Sequence, residues 1–308
     1  MNLKCTMALM NLTFLLTAKV FAMDSVLKNE KYRKELKETL KQKELVIAVI
    51  DTGIDTEHPY LKDMIWQNPG EVGLDKNGKD KRSNGVDDDQ DGFVDDFEGW
   101  NFASHSKDVF DFHGHGTHVA GIIKKYTHFS KQVKILPLKY YALNQSTENN
   151  LDNSVAAIKY AIAKHVDIIN YSGGGAGFSE EENLVLKLAE KNHIIVVAAA
   201  GNEAHNLNKV SYFPASYGLK NIFVIGSKNL QGKISPFSNF GIGKVDAYLD
   251  GENIVSSLPN GKFGKMSGTS QATALGTAKV ADSLLQKRSS QNRQGILLSL
   301  TTATKLDQ

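Results

Sequence analysis

Six short apolar runs recur along the chain: LVIAVI (45–50), KILPLK (134–139), VDIIN (166–170), HIIVVAAA (193–200), NIFVIGS (221–227) and VDAYLD (245–250). Helical spacing of apolar residues fills intervals between and after them, at 116–125, 151–165, 181–191 and 270–287. This alternation constrains the fold more than any other feature. Parallel strands need crossover connections, and crossover helices cover both faces of a sheet, so the strands between them become apolar throughout. The pattern predicts an α/β fold of three layers, with a mostly parallel central sheet and helices on both faces. At 308 residues and 41% hydrophobic, the chain is long enough to bury such a core. No repeat or low-complexity linker interrupts residues 45–308.

Charge excludes some partners. Thirty-six Lys+Arg stand against 34 Asp+Glu, a formal net charge of +2, so nothing electrostatic calls for nucleic acid or an anionic membrane. Residues 1–22 carry Lys4, an apolar stretch from Thr6 to Ala18 and small residues at Val20 and Ala22, the pattern of a secretory signal cut after Ala22. Cleavage would remove Cys5, the only cysteine, and leave a product without a disulfide. A secreted or periplasmic location is expected. No membrane association is expected after cleavage, since no later segment approaches the roughly 18 continuous apolar residues that a span requires. Residues 23–44 are rich in Lys and Glu, with Val26, Leu27, Tyr32, Leu36 and Leu40 at near-helical spacing, and predict a charged amphipathic helix. Residues 45–308 form the main domain.

In open α/β sheets, sites lie beyond the carboxyl ends of the strands. LVIAVI runs into Asp51-Thr52-Gly53, VDIIN into Ser172-Gly173-Gly174, and HIIVVAAA into Gly201-Asn202. The Ser172–Gly174 stretch has no bulky side chain, so a peptide can lie along its backbone. Ser270 stands where a glycine-rich turn opens into a helix. In DFHGHGTHVAG (111–121), His113, His115 and His118 fit two chemistries. They form a zinc cage, or one of them is a base that activates a distant serine. Taken singly, Asp51 reads as a turn former, Ser270 as a helix cap and Asn202 as a turn residue, but none of these readings accounts for the set.

The strings DTGID with His58-Pro59, HGTHVAG, AAGN, YFPASY and SGTS, over roughly residues 45 to 287, resemble the subtilisin-like serine proteases. The resemblance implies a secreted serine endopeptidase that cleaves peptide bonds through an acyl-enzyme. His115 would be the base, Asp51 its orienter and Ser270 the nucleophile. Asn202 would donate to the oxyanion beside the Ser270 N–H, and Ser172, Gly173 and Gly174 would bind substrate. His118 then becomes a packed structural residue and His113 a rim residue. Peptides or proteins are the expected substrates, and a monomer is the expected state. Three departures stand out. Only the short segment 23–44 occupies the place of a folded propeptide, the family's proline after the serine reads Ala274, and its leucine in the substrate strand reads Gly173.

An acidic insert at about 75–98 adds a second signal. Counting from Asp87, carboxylates fall at positions 1, 3 and 5 (Asp87, Asp89, Asp91), Gly92 at 6, Phe93 at 7, Asp95 at 9 and Glu98 at 12. This matches the EF-hand loop, in which position 7 acts through its backbone carbonyl. The flanks offer no helices, so the expectation is an isolated structural calcium loop, against a solvated acidic hairpin. Two other functions remain open: an inactive calcium-stabilised binding protein of the same family, and a zinc hydrolase built on the three histidines.

Overall fold

The computed structural model describes residues 44–142, 147–286 and 293–301. The chain divides into two units, Met1–Glu44 and Leu45–Gln308, and all described residues except Glu44 belong to the second. The expected signal segment and the charged helix at 23–44 lie outside the described residues.

Seven strands form one parallel sheet: β1 (Leu45–Asp51), β2 (Trp100–Asn101), β3 (Val133–Lys139), β4 (Ile168–Tyr171), β5 (Ile195–Ala199), β6 (Ile222–Lys228) and β7 (Ala247–Asp250). Their order is β2-β3-β1-β4-β5-β6-β7, and every neighbouring pair is parallel. The helices are α1 (His115–Tyr126), α2 (Thr147–Ala163), α3 (Glu180–Lys191), α4 (Thr269–Gln286) and α5 (Arg293–Thr301). The parity of each strand sorts its side chains between two cores. Ile47 and Val49 of β1 pack with Ile135, Ile168 and Val197 against Val119, Ile122 and Ile123 of α1 and Leu275 of α4. Ala48 and Ile50 pack on the opposite face with Leu136, Ile169 and Val196 against Ile158 of α2 and Leu186 of α3. Ile47, Ala48, Val49 and Ile50 are all essentially inaccessible, which explains why β1 is continuously apolar. Each large side chain so buried contributes about 1.5–3 kcal/mol.

The connection from β1 through α1 runs one way to β3, whereas the connection from β4 through α3 runs the other way to β5. With a fixed crossover hand, opposite directions put α1 and α3 on opposite faces and open a crevice between the carboxyl ends of β1 and β4. Asp51 and Ser172 flank that crevice: Ile50 pairs with Tyr171, so the next residues on the two chains are these two. Outside the sheet, β8 (Ile254–Leu258) and β9 (Lys262–Met266) make an antiparallel hairpin. Its turn is Asn260-Gly261, both with positive φ, as a tight hairpin turn requires. No helix among the described residues is long and apolar enough to cross a membrane.

Candidate active site

Asp51 closes β1, and its carboxylate is 3% exposed. Its Oδ1 accepts from the Thr52 N–H at 2.7 Å and from His115 Nδ1 at 2.7 Å. Because a carboxylate only accepts, the His115 proton sits on Nδ1 and Nε2 is left with a lone pair. His115 opens α1 directly after Gly114, whose φ of 96° suits glycine. A close approach sets the next position: a Cβ on Gly116 would lie 2.1 Å from the Gly53 carbonyl oxygen and 3.1 Å from the Asp51 Cβ. Only glycine lets the helix start press onto the strand end and hold His115 against Asp51.

Asp111, which is fully buried, anchors the same turn. Its Oδ1 accepts from Thr52 Oγ1 (2.9 Å), the His113 N–H (3.0 Å) and the Gly114 N–H (2.7 Å). Its Oδ2 accepts from the N–H (2.9 Å) and Oγ1 (2.8 Å) of Thr117. Burial alone would lower the His115 pKa, but the charge and hydrogen bond of Asp51, joined by the charge of Asp111, outweigh it and hold the imidazole above its ordinary 6.5. Asp111 stands four residues before His115, where nothing in the sequence singled it out.

Ser270 is the second residue of α4 and is 6% exposed. Its hydroxyl donates to the Ser172 carbonyl at 3.0 Å rather than to His115. A rotation about Cα–Cβ moves such a hydroxyl, and catalytic hydrogen bonds often close only once substrate is present. The β1/β4 register explains how the parts meet, since His115 is bonded to Asp51 and Ser270 to Ser172, its neighbour across the crevice. Thr277 Oγ1 donates to Asn170 Oδ1 (2.8 Å), and Asn170 Nδ2 donates to Ser172 Oγ (3.0 Å), so α4 is tied to the end of β4 from within. Nothing in the local sequence marked Asn170 or Thr277.

Asn202 Oδ1 accepts from the Thr269 N–H (2.8 Å) and Thr269 Oγ1 (3.0 Å), which fixes the amide orientation and frees Nδ2. A Cβ on Gly268 would lie 3.7 Å from both Asn202 Nδ2 and the Ser270 backbone nitrogen. The two donors therefore lie near each other beside Ser270, as an oxyanion site requires, with Gln271 Oε1 closer still to the same point at 2.8 Å. If they serve there, Asn202→Ala should lower kcat by about 100- to 1000-fold with KM nearly unchanged, the loss that removing one such donor causes in subtilisin itself. A large rise in KM at constant kcat would assign Asn202 to ground-state binding.

The other two histidines sit apart from this chemistry. His118 is fully buried, and its Nε2 lies 3.0 Å from the Ile254 carbonyl and 3.2 Å from that of Gly264, both in the hairpin. Carbonyls only accept, so Nε2 carries the proton and the lone pair is left on Nδ1, which is buried without a hydrogen-bond partner. His113 is exposed, edge-on to His115 and Tyr141. Among the described residues, the groups spaced to hold a metal contain no histidine. Gly173, which replaces a leucine of the family pattern, has its reason here: a Cβ on it would lie 2.1 Å from the Tyr140 hydroxyl.

The acidic insert departs from the EF-hand expectation. Asp95, with φ of 56°, turns away, accepting from the Gly85 N–H (3.0 Å) and from Lys107 Nζ (3.0 Å). Glu98 hydrogen-bonds Thr56 and neighbours Arg82. Phe93 places its ring among Trp100, Phe102 and Tyr160. With that ring drawn into the core and Trp100 entering β2, no exit helix brings position 12 back over the loop. Asp87 and Asp89 instead converge with Glu71, and Asp89 and Asp91 with Asp96. Lys164 supplies the positive charge of the second group, with Nζ at 3.3 Å from Asp89, 2.5 Å from Asp91 and 3.2 Å from Asp96. In the first group Glu71 is fully buried; Oε1 accepts from the Asp88 N–H at 3.0 Å, but Oε2 has no hydrogen-bond partner. Burial, with the charges of Asp96, Asp88 and Asp89, pushes its pKa up to about 7 against the pull of the Asp88 N–H.

A parallel sheet covered by helices, with Asp51 at the end of β1 and with His115 and Ser270 at the starts of α1 and α4 on either side of one crevice, defines the class: an α/β protein whose site lies at the carboxyl edge of its sheet. The subtilase family model matches residues 42–308, and the chain belongs to the subtilase family. It is similar to the major intracellular serine protease of Bacillus subtilis (strain 168), 34% identical over 242 residues that cover 76% of this chain and 66% of that protein. It is likewise similar to an intracellular serine protease of Paenibacillus polymyxa, 34% identical over 234 residues covering 74% and 62%. The chain thus spans slightly less than two thirds of each of these relatives. A cold adapted subtilisin-like serine proteinase shares the fold, with a TM-score of 0.61 at 23% identity over 82% of this chain and 79% of that one.

Proposed function

We propose that the protein is a serine endopeptidase acting on peptides or proteins. The observation that carries this reading is the 2.7 Å bond from His115 Nδ1 to Asp51, made across the crevice from Ser270. Ser270 Oγ attacks the scissile carbonyl carbon and its proton passes to His115 Nε2. Asn202 Nδ2 and the Ser270 N–H donate to the oxyanion. Collapse breaks the C–N bond, and the departing amine takes the proton from His115. A water then adds to the acyl-enzyme along the same path and restores the serine. Purified protein should react covalently with a fluorophosphonate at Ser270 and cleave peptides. A folded protein that does neither would be the inactive binding relative instead.

The same reading includes a structural cation, held by Glu71, Asp87 and Asp89. The donor set is all oxygen, and the unpartnered, buried Oε2 of Glu71 is what a hard cation would satisfy. Carboxylates of this number and flexibility favour calcium over magnesium. Binding to the folded state alone stabilises by about 2.7 kcal/mol at a hundredfold excess over Kd, roughly 5 to 11 °C in Tm for a domain of this size. Scanning calorimetry of protein shown to start metal-free should record that rise with calcium, reverse it with chelator, and lose it in Glu71→Gln. Equal Tm in calcium and chelator would leave the insert as a solvated acidic loop. None of Glu71, Asp87 and Asp89 belongs to the Asp51–His115–Ser270 set, so the ion acts on lifetime rather than on the chemical step.

Export belongs to the proposal as well. It rests on the lysine-led apolar stretch of residues 1–22, while two of the relatives bear names that place them inside the cell. N-terminal sequencing of protein made by its own host decides between a start at Met23 and one at Met1.

A further inference from the structure

Two glycines on either side of the nucleophile press against one aromatic ring. Gly174 lies two residues beyond Ser172, whose carbonyl receives the Ser270 hydroxyl; Gly201 lies one residue before Asn202. A Cβ on Gly174 would stand 2.6 Å from Tyr212 Cε1 and 3.0 Å from its Cζ, and a Cβ on Gly201 would stand 3.0 Å from Tyr212 Cε2. One edge of the ring thus faces the segment after β4 and the other faces the segment after β5. The ring fills the gap between them.

Tyr212 is held in that position. Gly175 and Phe213 exchange both backbone hydrogen bonds, at 2.9 and 2.7 Å, so residues 212–213 run as a wall beside 174–175. The Tyr212 N–H donates to Ser216 Oγ at 3.0 Å, and the Ser216 N–H returns a bond to the Tyr212 carbonyl at 2.8 Å. Burial, with the charge of Glu203, pushes the phenol up to about 12, so it stays neutral at working pH. Glu203 itself is drawn to Asn239, whose Nδ2 donates to its Oε2 at 2.7 Å.

An acyl carbon at Ser270 Oγ, with its oxygen toward Asn202 Nδ2, must leave His115 facing the departing amine. Ser270 is bonded to Ser172 and lies beside Asn202, so on the endopeptidase reading the side chain of the acyl-supplying residue is assigned to the gap between backbones 172–174 and 200–202, away from His115. Resting on the endopeptidase reading above, we propose that Tyr212 is the specificity-determining residue of this site, its ring closing that gap so that the acyl-supplying residue is glycine, alanine or serine. A packed aromatic wall does not yield to a larger side chain without displacing backbone on both sides.

The test is kcat/KM on two quenched fluorescent peptides that differ only in alanine or phenylalanine at the acyl-supplying position. Pocket discrimination at the scale of a methylene is worth roughly 10- to 200-fold. The unmodified protein should favour the alanyl peptide by about tenfold or more. Tyr212→Gly should shift the ratio toward phenylalanine by at least about tenfold, whereas Tyr212→Phe, which retains the ring, should keep the preference for alanine. Should glycine destabilise the 211–214 loop, Tyr212→Ala takes its place, and the same shift toward phenylalanine is expected of it. A phenylalanine preference in the unmodified protein, or an unchanged ratio in a Tyr212→Gly protein that still reacts with a fluorophosphonate, would overturn the proposal. A preference for lysine over alanine would do the same, because it would make Glu203 the determinant. Failure of the unmodified protein both to label and to cleave would overturn the endopeptidase reading first, and this one with it.

Discussion

Ser270→Ala should lower kcat by about a million-fold while leaving the fold intact, a size that is the measured one for subtilisin's own triad. The substitution removes one hydroxyl at a position 6% exposed, and the oxygen lost makes a single bond, to the Ser172 carbonyl. Folding therefore loses little, about 1 kcal/mol for one hydrogen bond. The chemistry loses its nucleophile. What remains is the part that does not need a covalent step, about a thousandfold or more over water from oxyanion donors and binding. Steady-state turnover of a variant with an unchanged circular dichroism spectrum measures this directly. Near-normal turnover would end the serine-protease reading.

The second large effect is at Asp51. Replacement by asparagine keeps the shape but removes the charge, and an amide can donate to His115 and favour the wrong tautomer, so a loss of about ten-thousandfold in kcat is expected. The pH profile carries a separate signature. In the native site His115 titrates above its ordinary 6.5, so neutral imidazole, the form that accepts the serine proton, is depleted as pH falls through that raised value. The acid limb of kcat/KM should lie correspondingly above 6.5. In Asp51→Asn the largest upward influence is gone and burial prevails, so the limb should move to lower pH. A limb that stays in place in the variant would mean that another group governs it.

The sheet was legible because parallel strands covered on both faces must be apolar at every position, and β1 is the clearest example, with Ile47 and Val49 on one face and Ala48 and Ile50 on the other. The positions of Asp51, Ser172 and Asn202 followed from where those runs stop. The β8–β9 hairpin was missed because Val255 and Phe263 face solvent and leave it without a buried pattern, although Asn260-Gly261 is a turn signal in its own right. The two-residue β2 is too short to have any periodicity.

The acidic insert shows where local pattern stops deciding. Every oxygen position of an EF-hand is present from Asp87 to Glu98, yet Lys107 claims Asp95 and Thr56 takes Glu98, while Glu71 arrives from an earlier turn. Spacing along a chain specifies a ligand set only when the loop must close on itself, and here the Phe93 ring is drawn into a core shared with α2. The sequence by itself determined the residue types, a carboxylate and an amide just where apolar runs stop and an imidazole and a hydroxyl just where helical spacing begins, while their roles came from the resemblance to the subtilisin-like proteases. Tertiary structure alone decided their supports and limits. Lys164 among the aspartates and Tyr212 between two glycines act through neighbours far away in the chain, and so does the bond that ties the Asp111 turn to Thr52, and no local spacing encodes such contacts.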